Sequence, residues 1–94
     1  MSKVIVGSTD VTRVTYRDRD GTLTSPDAIA AWVKRPDGTV TQTGVTVTNV
    51  STGIRDVDVV ISLQGIWYLE VTATGTIAPL VSEKTICAVA PSVG

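Results

Sequence analysis

The chain has 94 residues, 43% of them hydrophobic, with 8 basic and 9 acidic side chains and a net charge of −1. That length corresponds to one domain, and that apolar content to a packed core rather than a disordered segment. Arg13, Arg17, Arg19, Lys34, Arg35 and Arg55 are scattered and mostly sit beside aspartates, which argues against the clustered basic face that nucleic-acid binding requires.

Thr and Val dominate, with 15 and 16 copies, joined by 7 Ile. These β-branched side chains are stiff at χ1 and fit a pleated sheet better than a helix. They come in short alternating runs, separated by Asp20-Gly21, Asp37-Gly38, Thr52-Gly53, Gln64-Gly65 and Thr74-Gly75. Short strands between regularly spaced turns are the pattern of an all-β sandwich.

Val4 to Val6 is the first short strand. Val11 to Asp18 follows, with Val14 and Tyr16 on one face and Arg13, Thr15 and Arg17 on the other. Asp18-Arg19-Asp20-Gly21 closes it, because Asp caps backbone amides and Gly accepts positive φ. After the Ser25-Pro26-Asp27 loop, Ala28 to Arg35 reads as the third strand despite its alanines. Ile29, Ala31 and Val33 share one of its faces, and Ala30, Trp32 and Lys34 the other. Pro36-Asp37-Gly38 is a strong hairpin signal.

Thr39 to Val50 continues as strand with an irregularity at Gly44, and Ser51-Thr52-Gly53 turns the chain into Ile54 to Leu63. There Val57, Val59, Ile61 and Leu63 alternate with Asp56, Asp58, Val60 and Ser62, so the register is well specified. In Ile66 to Thr74, Trp67, Leu69, Val71 and Ala73 oppose Tyr68, Glu70 and Thr72. Ile77 to Val89 closes the domain in one or two segments, with Pro79 suited to an edge or a strand's first residue. Residues 1–89 thus form the domain, and 90–94 a tail that a partner would have to order.

No histidine is present, which removes the usual general base and the nucleophilic triads; a glycosidase-type pair of carboxylates is left as the alternative, although the acidic residues fall mostly in turns or on solvent-facing strand positions. No catalytic residues and no cofactor are expected. The single cysteine, Cys87, reads as a small buried hydrophobe and leaves no intrachain disulfide. The N-terminal stretch lacks the apolar run of a secretory signal, and no stretch approaches a membrane span, so a product made in the cytoplasm without a membrane is expected.

Asp18 and Asp20 resemble the opening of a calcium loop, but the distal glutamate is missing; a solvated turn is the plainer reading. Asp56 and Asp58 share a strand face and call for a cation such as Arg13, Arg17 or Lys34 opposite. Trp32 and Tyr68 both fall on the face opposite the apolar one. They are either surface anchors for a partner, together with Val4, Ile5, Val6 and Pro91, or, for Trp32, the core tryptophan of a sandwich in the inverted register.

From about Val11 to Val89 the layout resembles small immunoglobulin-like β-sandwich structural proteins of tailed bacteriophages. The residues concerned are Tyr16 to Leu23, Ser25-Pro26-Asp27, Val33 to Thr39, Ser51-Thr52-Gly53 and Gly65-Ile66-Trp67. Two features depart from that pattern: Ile54 stands where an aromatic is common, and the tail beyond Val89 is extra. The resemblance implies an antiparallel immunoglobulin-like β-sandwich of about seven strands. It also implies a non-enzymatic virion component, made in the host cytoplasm and bound in several copies to the major capsid protein or to neck or tail proteins. A carbohydrate- or receptor-binding module is the alternative, with Trp32 and Tyr68 as a stacking platform.

Overall fold

The protein is described from a computed structural model covering residues 2–78 and 80–90. The readings for Pro79 and for residues 91–94 of the tail, Pro91 among them, lie outside the described residues. Eight strands form: β1 (Ser2–Ile5), β2 (Thr9–Thr15), β3 (Ala28–Lys34), β4 (Val40–Thr41), β5 (Val45–Ser51), β6 (Ile54–Val60), β7 (Gly65–Thr74) and β8 (Val81–Val89). They pair as a five-stranded sheet in the order β1-β8-β7-β3-β4 and a three-stranded sheet in the order β2-β6-β5.

Two features of the strand pairing differ from the sequence reading. The segment expected as one strand from Thr39 to Val50 is divided: β4 pairs with β3, whereas β5 pairs with β6 in the opposite sheet. The irregularity expected at Gly44 is therefore a change of sheet. In addition, β1 pairs with β8 in parallel, while the other strand pairings are antiparallel. A tight turn at Gly7, closed by Ser8 N–H to the Ile5 carbonyl at 2.9 Å, carries the chain from β1 across to β2 in the other sheet.

Alternation places the core between the sheets. Val33 on β3, Val57 and Val59 on β6, Trp67, Leu69 and Val71 on β7, and Ile86 on β8 are all buried. Trp67 is fully enclosed; its indole N–H donates to the Leu63 carbonyl at 2.9 Å, and the Arg35 guanidinium stands 5.8 Å from the ring centroid. At one end Val14, Tyr16, Ala73 and Ile77 form a second cluster. Burial pushes the Tyr16 phenol up from its usual pKa, and the nearby Arg55 charge opposes that shift. Cys87 is half-buried rather than buried, on the outward side of β8.

Three polar groups sit where the hydrophobic pattern gave no place for them. Arg55 takes an inward position on β6 and donates to Asn49 Oδ1 and to the carbonyls of Ser51 and Ile54 at 3.0–3.1 Å. Those acceptors surround the register shift between Asn49 and Ser51, so the guanidinium satisfies the carbonyls of a bulge. Lys84 of β8 reaches across to β2, with Nζ 2.9 Å from Asp10 Oδ2 and 2.8 Å from Thr12 Oγ1. This link joins the two sheets through side chains that are 25% and 7% exposed.

Two substitutions test these supports. A Cβ at Gly53 would come within 2.7 Å of the Tyr16 carbonyl oxygen and 2.9 Å of the Thr24 nitrogen, at a φ of +76°. Gly53→Ala should therefore cost about 2 kcal/mol or more in denaturant unfolding; a neutral result would contradict this packing. Asp10→Ala should cost about 2 kcal/mol by stranding a largely desolvated ammonium. Asp10→Leu combined with Lys84→Met should recover most of that loss, and a double variant as unstable as the single one would refute the link as drawn.

Candidate functional site

The inward parity of Trp67 and Val33 forces Tyr68 and Trp32 outward, because neighbouring residues of a strand point to opposite faces. Trp32 is 43% exposed and Tyr68 53% exposed. Trp32 therefore lies on the surface, and Trp67 is the core tryptophan.

Register places these side chains in two adjacent rows across the outer face of the five-stranded sheet. Trp32 pairs with Glu70, which pairs with Glu83; Lys34 pairs with Tyr68, which pairs with Thr85. Trp32 and Tyr68 are thus diagonal neighbours on adjoining strands, within reach of each other's long side chains. Val40, opposite Lys34 on β4, extends the second row. Its position depends on the Pro36-Asp37-Gly38 hairpin, in which Arg35 N–H donates to the Thr39 carbonyl at 2.8 Å and Thr39 N–H to Asp37 Oδ1 at 2.9 Å. The two rows flank an open groove of about 600 Å³ lined by Trp32, Lys34, Val40, Tyr68, Glu70 and Glu83.

The other expected contact residues are not gathered there. Val4 and Val6 are half-buried and pack against the core. Ile5 is exposed on the same outer face but pairs with Val89, six residues along β8 from Glu83. At about 3.4 Å per residue that is about 20 Å from the Trp32 row. Val40 and the facing Glu70–Glu83 pair belong to the site and were missed in the sequence, because only the strand register reveals them.

The Asp18-Asp20 loop is occupied with its own backbone. Asp18 Oδ1 accepts from the N–H groups of Asp20 at 2.9 Å and Thr22 at 3.0 Å, and Arg17 Nη1 donates to the Gly21 carbonyl at 2.9 Å. No group of three or more Cys, Asp or Glu placed to hold a metal ion occurs among the described residues. The cross-strand pairing expected for Asp56 is present: Arg13 lies directly opposite and forms a fork, Nε to Oδ1 at 2.9 Å and Nη2 to Oδ2 at 3.2 Å. Asp58 faces Val11 and Thr46 instead.

No known family model matches the chain, and no curated protein does. Among solved structures, the chain is similar to the crystal structure of the Lin-41 filamin domain, with a TM-score of 0.72 and 29% identity over 93% of this chain and 82% of that one. The fold is an immunoglobulin-like β-sandwich. This likeness corrects the expectation of a bacteriophage capsid or head-tail component, since a solved structure that the chain resembles over nearly its whole length is a filamin domain and nothing in the comparison points to a virion protein. The misdirection has a physical origin. Gly21, Gly38 and Gly53 hold φ values of +87°, +90° and +76°, so the DG and TG turns that carried the phage resemblance are dictated by the sandwich's own corners.

Two surface carboxyls have a pH consequence. The Arg13 hydrogen bonds and charge hold Asp56 below its ordinary pKa, and hydrogen bonding from Thr39 does the same for Asp37. A carboxyl depressed by folding contributes stability above its unfolded value of about 4, and that contribution is lost as the pH falls through the lower folded value. Thermal melts from neutral pH downward should lose stability below about pH 4. The combined Asp37→Asn and Asp56→Asn variant should show a shallower acid limb; an unchanged slope would remove these two carboxyls as its source.

Proposed function

We propose that the domain is a non-enzymatic protein-interaction module that docks a partner polypeptide on the outer face of its five-stranded sheet. The observation supporting this most directly is the exposure of Trp32 and Tyr68 as diagonal neighbours along one groove. Large aromatics displayed together on a sheet surface are unusual for a face that meets only water, and they are the side chains that dominate binding energy at interfaces. The rigid strands beneath them fix their positions before a partner arrives, which reduces the ordering cost of association. The likeness to a filamin domain favours the same reading, since both chains present an immunoglobulin-like sandwich.

A displayed library of random segments of about a dozen residues, sorted against the labelled full chain, tests this. Binding clones are expected, and Trp32→Ala and Tyr68→Ala should each weaken them about thirtyfold while leaving the unfolding free energy within about 1 kcal/mol. Clones that bind both variants as tightly as the parent, or the absence of any clone, would refute the docking face.

A further inference from the structure

The docking reading leaves open what the groove selects, and its charges address that question. Glu70 of β7 and Glu83 of β8 are directly opposed, both exposed and both on the outer face. Like charges directly opposite each other across two strands repel. Neither carboxylate takes part in an ion pair among the described residues. The ion pairs found there are Arg13–Asp56 and Lys84–Asp10, and the Lys84 ammonium, although next to Glu83 in sequence, is held on the inner side by Asp10 and Thr12. Lys34 belongs to the neighbouring row, opposite Tyr68, and forms no ion pair with either glutamate.

The row that contains these carboxylates ends in Trp32. Two acceptors with an aromatic face beside them match one side chain especially well. A guanidinium can donate to both carboxylates and stack on the indole, whereas an ammonium is a point charge without a planar face. One row along, Lys34 disfavours a second cation, and Tyr68 and Val40 offer apolar surface. The two rows are two residues apart along each strand, which is the spacing of same-face side chains in an extended segment.

Building on the docking reading, we propose that the groove takes a partner polypeptide in extended form, inserting an arginine at the Trp32–Glu70–Glu83 row and an apolar side chain two residues away at the Lys34–Tyr68 row. The occupant is argued from charge complementarity: the fold leaves an opposed carboxylate pair whose repulsion an incoming guanidinium would relieve.

The test uses the full chain, ¹⁵N-labelled, titrated with a capped peptide of sequence Ser-Thr-Arg-Thr-Leu-Thr-Ser and with counterparts carrying Gln or Glu in place of Arg. At low salt the Arg peptide should shift amides of β3, β7 and β8 and bind about tenfold more tightly than the Gln peptide. The preference should shrink in about 0.5 M salt. It should fall to within about twofold in the Glu70→Gln, Glu83→Gln double variant, whose melting temperature should equal or exceed the parent's. Equal binding of the Arg and Gln peptides on this face, or tighter binding of the Glu peptide, would overturn the arginine preference while leaving the docking reading intact. Shifts elsewhere, or none with any peptide, would also overturn it; the docking reading itself falls only if the library selection fails as well.

Discussion

The enclosed Trp67 is the constraint on which the remaining geometry depends. Its indole N–H is tied to the Leu63 carbonyl and its ring lies under the Arg35 guanidinium, so β7 cannot rotate or slip by one residue without exposing the largest core side chain. With Trp67 inward, Tyr68 and Glu70 face outward, and pairing to β3 puts Val33 in and Trp32 out. One tryptophan therefore organises the interior, and by parity it delivers the other to the surface.

Much of the architecture was legible because period-2 alternation is a local signal. The runs Val57-Val59-Ile61 and Trp67-Leu69-Val71 each name their own inner face. Alternation alone did not decide which face of β3 was buried, since Ala30 and Trp32 are as apolar as Ile29 and Ala31. Nor could it show that the chain leaves one sheet for the other near Gly44, because β4 and the start of β5 share the same alternation of Val and Thr and are told apart by their distant partners. Arg55 was hidden for a related reason: its inward parity with Val57 was readable, but a charge is ordinarily assigned to solvent, and its carbonyl partners exist only once the bulge forms. The groove required register across three strands, which no short window of sequence carries.

The charged residues divide into two kinds with different consequences. Arg13 and Asp56 form a forked pair on the solvent side of the smaller sheet, where water and salt weaken it. Lys84 and Asp10 lie between the sheets, where the attraction is less screened but leaving either partner alone is costly. The second kind fixes how the two layers are set against one another. By drawing the Lys84 ammonium inward, it also leaves the outer surface of β8 with Glu83 as its nearby charge.

The parallel pairing of β1 with β8 has a mechanical consequence. Ser2 sits beside Ile86 and Ile5 beside Val89, so the leading end of the first strand and the trailing end of the last lie at opposite limits of their shared ladder. Tension applied between the two chain ends would slide these strands past one another, straining their hydrogen bonds together instead of peeling them off one at a time. Such loading in shear resists forced unfolding far better than unzipping does, so this terminal pair acts as a clasp when the domain is pulled end to end.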